Sequence, residues 1–195
     1  MKTTSRVEKL RSHLGNQQVD AMLISSPENR RYLSGFAGSA GYLLITEKDQ
    51  VLATDFRYIE QAEQQAPGYR IERITASASW LPQLALNAGI TRIGFEADNV
   101  SISTHSTFLK AIQGDIESSN LELIATNEFI DKMRAIKDND ELELLEKAIT
   151  VTDQAFEKVS ASIKPGITEK QVAWELEKSM REQGAEGLAF DIIVG

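Results

Sequence analysis

The sequence contains no cysteine, which excludes disulfides, thiolate metal sites and a cysteine nucleophile. Histidine is scarce as well. His13 and His105 are the only two, they lie far apart in the chain, and neither has a carboxylate pair at ligand spacing beside it. The His-Glu-x-x-His, Asp-x-Asp-x-Asp-Gly and Gly-x-Ser-x-Gly patterns are all missing. No apolar run approaches the roughly 20 residues of a membrane span. The opening Met1-Lys2-Thr3-Thr4-Ser5-Arg6-Val7-Glu8-Lys9 is charged with no apolar segment behind it, unlike a signal peptide, so a cytoplasmic location is expected. Positive charge is in deficit: 21 Lys and Arg stand against 29 Asp and Glu, for a net charge of -8. A field of that sign disfavours non-specific binding to nucleic acid or to anionic membranes.

What is present is the material of a folded chain. At 195 residues with 42% hydrophobic and 26% charged residues, one large domain, or one domain and part of another, is expected. The stretch 41–58 organises the first part. Gly41-Tyr42-Leu43-Leu44-Ile45-Thr46 and Val51-Leu52-Ala53-Thr54-Asp55 are apolar runs separated by Glu47-Lys48-Asp49-Gln50, which predicts a β-hairpin. Neither run alternates cleanly, so helices are expected on both faces. Strands are also predicted at 21–25, 70–74, 92–96 and 121–124, and helices at 6–14, 28–33, 59–65, 80–88 and 103–113. This strand-then-helix order implies an α/β fold with a mixed, mostly parallel sheet covered by helices.

The texture changes near Asp131. Asp138 with Glu141 three residues on forms a capping-box pattern. Leu142, Leu145, Ile149, Thr152, Phe156, Val159 and Ile163 then share one helical stripe before Pro165-Gly166. A helix to Lys164 would be about 39 Å long. Thr168 with Gln171 caps a second helix that stops by Gly184, and Phe190-Asp191-Ile192-Ile193-Val194-Gly195 is patterned as a strand. The expected division is 1–130 for the α/β domain and 131–195 for the beginning of a second one.

Residue chemistry alone marks no self-contained active site. Gly35, Gly38 and Gly41 lead into a strand rather than from a strand into a helix, so they match neither a P-loop nor a dinucleotide fingerprint; tight turns are the simpler role. Asp55-Phe56-Arg57-Tyr58 lies at a strand's carboxyl end, where α/β sheets place sites, but Asp55 as a helix cap and Arg57 as a partner for a nearby acid are the simpler explanation. Arg134, near the expected junction, fits an ion pair.

Three segments together give the sequence a resemblance. They are Asn29-Arg30-Arg31-Tyr32-Leu33-Ser34-Gly35-Phe36 running into Gly38-Ser39-Ala40-Gly41; Thr54-Asp55-Phe56-Arg57-Tyr58-Ile59-Glu60-Gln61-Ala62; and Met133-Arg134-Ala135-Ile136-Lys137 followed by Lys164-Pro165-Gly166-Ile167-Thr168-Glu169 and 184–195. In this order they resemble the creatinase, prolidase and aminopeptidase P family of pita-bread metallopeptidases, above all bacterial Xaa-Pro dipeptidases and aminopeptidases. The resemblance implies a creatinase N-terminal-like α/β domain followed by the helices and first strand of an incomplete α+β pita-bread catalytic domain. It implies an Xaa-Pro peptidase that cleaves between an N-terminal residue and proline, with Xaa-Pro peptides as substrate and a homodimer as its assembly. Two divalent metal ions, manganese in many members, are held in such enzymes by two Asp, one His and two Glu and supply a hydroxide for attack on the peptide carbonyl. All five ligands would lie beyond Gly195, so the resemblance implies no catalytic and no metal-binding residue within this chain. By position, Arg134 and Phe190 fall on the family's substrate rim and pocket. A non-catalytic dimerisation or partner-binding module, and creatinase-type C–N hydrolysis on the same fold, are the alternatives.

Overall fold

Apolar side chains alternating between the two faces of one sheet organise the chain up to residue 135. The structure is a computed structural model that describes residues 2–75, 77–114 and 120–195. It divides into two units, Met1–Ala135 and Ile136–Gly195. In chain order the first contains α1 (Lys2–Leu14), β1 (Ala21–Ile24), α2 (Pro27–Ser34), β2 (Tyr42–Thr46), β3 (Gln50–Thr54), α3 (Ile59–Gln65), β4 (Arg70–Arg73), α4 (Trp80–Ala88), β5 (Arg92–Glu96), α5 (Ile102–Gln113), β6 (Glu122–Thr126) and α6 (Phe129–Ala135); the second contains α7 (Asn139–Ser160) and α8 (Glu169–Glu182).

The strands lie in the order β4-β3-β2-β1-β5-β6. The pairs β1–β5, β5–β6 and β3–β4 are parallel, while β2 runs against both neighbours. The sheet is therefore mixed and mostly parallel, and the hairpin expected from the polar break at 47–50 is its β2–β3 pair. Period-two alternation sends each strand's side chains to opposite sides. Met22, Ile24, Leu43, Ile45 and Leu52 join Leu10 of α1, Leu33 of α2, Ala62 of α3 and Met133 of α6 in one core. Leu23, Leu44, Val51 and Ile93 join Trp80 and Leu81 of α4 and Phe108 of α5 in the other. Both faces are covered, which is why the strands read as continuous apolar runs. Because only β2 is reversed, the carboxyl ends of five strands and the start of β2 meet along one edge.

At the opposite edge Asp20 holds β1 to β5. Its Oδ2 accepts from the Thr91 amide at 2.9 Å, the Thr91 hydroxyl at 3.1 Å and the Arg92 amide at 2.9 Å. These donors, the Thr91 amide foremost, hold the Asp20 carboxyl below its usual range.

In the second unit α7 packs on α8, with Ala155, Val159, Val172 and Ser179 buried. Both capping boxes form: Asp138 with Glu141, and Thr168 with Gln171. Two expectations are corrected. The long helix ends at Ser160, not Lys164, because Ala161 and Ser162 already turn out of it ahead of Pro165-Gly166. The segment 190–195 is not a strand, since the described residues of this unit offer it no strand to bond to and an unpaired strand is not stable. The apolar stripe of α7 is largely uncovered, with Ile149 57% and Phe156 63% exposed.

Leu23, fully buried in the central strand, should lose about 2–5 kcal/mol of stability on substitution by Ala, read from urea denaturation. Leu145→Ala, at a position 46% exposed, should cost much less. For Asp20 the depressed carboxyl places its stabilisation above the unfolded-state carboxylate pKa of about 3.9. Wild type should therefore exceed Asp20→Asn in stability at neutral pH, and the gap should close as the pH falls through the folded-state value. A gap that stays constant down to pH 2 would contradict this.

Candidate functional site

The carboxyl edge of the sheet carries a buried polar network centred on Glu96, the last residue of β5. One carboxylate oxygen accepts from the Ser25 amide at 2.6 Å, the Ser25 hydroxyl at 2.8 Å and the Ser26 amide at 2.7 Å. The other accepts from the Asn29 side-chain amide at 2.7 Å. Glu96 thus ties the end of β5 to the end of β1 and to the first turn of α2. Ser26 caps α2 by accepting from the Asn29 amide, with Pro27 behind it, as a helix start requires. Asn99 donates to the Ser25 hydroxyl at 2.9 Å.

Arg30, on the buried side of α2, is the second centre. Its guanidinium donates to the carbonyls of Ser25 at 3.1 Å, Gly38 at 2.8 Å and Gly41 at 2.6 Å. The glycine-rich connector is thereby fastened to the end of β1. Gly38 is required there because a Cβ would collide with the Phe36 ring, and Gly35 ends α2 at φ 84°. Burial pushes the Arg30 pKa down, against the opposing charges of Tyr42 in its ionised form, Glu96 and Glu28. Burial also pushes the Tyr42 phenol up, so at neutral pH the pair is a cation beside a neutral hydroxyl.

The residues singled out by the sequence occupy different places. Arg134, on α6, donates to the Asn29 side-chain oxygen at 2.9 Å and to Asp131 at 3.1 Å, so it extends the Glu96 network through Asn29. Phe190 belongs to the second unit and is 78% exposed; it does not line the groove of about 840 Å³ that Trp174, Leu188 and Ile192 border there. Asp55 caps the turn that follows β3 and holds Arg57 through both oxygens, at 3.0 and 2.7 Å. Glu96, Asn29, Arg30 and Ser25 were assigned no role from the sequence. The available signal was a carboxylate ending the apolar strand 92–96 and an arginine on the inward side of a short helix.

Chemically this edge is a rigid frame. Its Ser25 hydroxyl is tied up as a donor to Glu96 inside a buried network, and among the described residues no group of three His, Cys, Asp or Glu could hold a metal ion. Among the described residues, no helix is long and apolar enough to cross a membrane.

Comparison with known proteins identifies the frame. Residues 6–136 match the creatinase/prolidase N-terminal domain, and residues 143–195 match metallopeptidase family M24. The peptidase YqhT of Bacillus subtilis is 39% identical over 97% of this chain and 52% of its own length. The Xaa-Pro dipeptidase from Bacillus anthracis superposes with a TM-score of 0.89 at 36% identity, covering 97% of this chain and 52% of that one. The N-terminal domain of the cytoplasmic peptidase PepQ from Mycobacterium tuberculosis covers 67% of this chain and 98% of its own, at 37% identity and a TM-score of 0.61. This chain belongs to the creatinase/prolidase N-terminal domain family, and it spans about half the length of the curated relatives it matches.

Glu96→Gln removes the charge and leaves one amide NH₂ facing donors. It should destabilise the protein by about 2–4 kcal/mol in urea denaturation. Arg134→Ala removes a half-exposed partner and should cost about 1 kcal/mol or less. Equal losses would contradict the ranking.

Proposed function

As a member of the creatinase/prolidase family, this chain is, we propose, the front part of an Xaa-Pro peptidase, a hydrolase releasing an N-terminal residue from proline. Residues 1–130 are its N-terminal domain and residues 131–195 open its catalytic domain. The observation that carries the reading is the superposition with an Xaa-Pro dipeptidase across 97% of the chain, through both family matches in order.

The M24 match implies a divalent metal centre. The described residues do not fit one. In this proposal the two metal ions, manganese in kind, bind residues of the whole protein outside this chain. What these residues contribute is a stiff carboxyl edge, held by Glu96 and Arg30, and the helices α7 and α8. The uncovered stripe of Leu142, Leu145, Ile149 and Phe156 supports the view that α7 has further packing partners in the whole protein. Arg134 and Phe190 are proposed to border the substrate, Arg134 holding its place through Asn29. The protein is proposed to act in the cytoplasm as a homodimer.

The whole protein should cleave an Xaa-Pro dipeptide when manganese is supplied and lose that activity with a chelator, while the 195-residue chain shows none under either condition. Cleavage of creatine instead, or no metal-dependent hydrolysis by the whole protein, would overturn the reading.

A further inference from the structure

In the glycine-rich connector between α2 and β2, three carbonyls are occupied and three consecutive amides are open. The Gly38 and Gly41 carbonyls take the Arg30 guanidinium, and the Ala40 carbonyl takes the Thr54 hydroxyl at 2.7 Å. The backbone N–H groups of Ser39, Ala40 and Gly41 donate no hydrogen bond to any described residue. These same three residues line a cavity of about 490 Å³ at the carboxyl edge, together with Arg30, Tyr42 and Asn99. Arg30 is only 4% exposed. Its Nε–H has no partner, and no described carboxylate forms a salt bridge with it. Carbonyls bind a guanidinium but do not neutralise it. The cavity is thus lined by a buried guanidinium and by three consecutive residues with unbonded amides, donors that favour anions.

The other charges around the cavity cancel this only in part. Asp55, also on the wall, is bound through both oxygens by Arg57. Glu96 and Glu28, outside the cavity lining, offset part of the Arg30 charge, and Glu96 already accepts four hydrogen bonds from Ser25, Ser26 and Asn29. The crevice lies outside the carboxyl ends of β1, β3 and β4, beside the reversed strand, where open α/β sheets take ligands. Its volume exceeds that of a lone inorganic ion and suits a small organic molecule. We propose that this cavity binds a small organic anion, whose carboxylate or phosphate oxygens accept from the Ser39–Gly41 amides with Arg30 as the countercharge.

The test follows the backbone amide signals of the ¹⁵N-labelled 195-residue chain by NMR. Sodium phosphate and sodium acetate are titrated separately, at an ionic strength held constant with sodium chloride. Saturable shifts at Ser39, Ala40 and Gly41 with either anion support the site, and the anion that saturates first tells phosphate from carboxylate. Arg30→Met should weaken binding by about tenfold or more. Should that variant not fold, Tyr42→Phe keeps the ring's tilted contact with Trp80 and its edge-to-face contact with Phe108 while removing the hydroxyl of a wall residue, and should weaken binding a few-fold. Amides that do not move, or that drift linearly as they do with chloride, would overturn the proposal.

Discussion

The burial of the Glu96 carboxylate is the constraint on which the carboxyl edge depends. A charge removed from water is tolerated only when hydrogen bonds replace its hydration. Here four donors do so, and they come from three places in the chain: the end of β1, the cap of α2 and the body of α2. Satisfying that one carboxylate fixes where β1 stops, where α2 starts and how α2 lies against β5. Arg30 then projects from α2 at a position already determined, and it gathers the carbonyls of the glycine-rich connector. Arg134 reaches the same assembly through Asn29. Carboxylate, carboxamide and guanidinium are thus joined in one network, in which the loss of a central member leaves several buried groups unpaired at once.

A frame of this kind suits a supporting role. The described residues hold no metal cluster, whereas the connector from 38 to 41 is held by its Gly38, Ala40 and Gly41 carbonyls with the Ser39, Ala40 and Gly41 amides unoccupied. Membership of the creatinase/prolidase family accords with this, since the matched N-terminal model is separate from the metallopeptidase match that follows it. The first unit buries its own apolar surface on both sheet faces. The second has a thin core of four buried residues and a long uncovered stripe, so it depends more on its capping boxes, at Asp138 and Thr168, for the definition of its helices.

Much of the fold was legible because its signals are local. The polar break at Glu47–Gln50 between apolar runs marked the hairpin, and the two capping boxes form as spaced. The alternation of Ala21 and Leu23 against Met22 and Ile24 was hidden only because both faces are buried. The candidate site was far less legible. Glu96 meets Ser25 across 71 positions of sequence, and nothing in Arg92-Ile-Gly-Phe-Glu says whether its last residue points to water or to a helix start. The stripe of α7 was legible as a pattern, but a pattern states that a face is apolar and not what covers it. The strand expected at 190–195 failed for a related reason: strand propensity requires a partner to become structure.

Native-state hydrogen exchange at Ser25 and Ser26 tests the central role of Glu96 most directly. Both amides lie beyond the end of β1 and have no ladder partner, so only the buried carboxylate protects them. Exchange as slow as that of Leu23 within β1, opening only with global unfolding, is the expected result. Exchange of Ser25 and Ser26 near the rate of an unprotected loop, while β1 remains protected, would show that Glu96 does not hold the edge together.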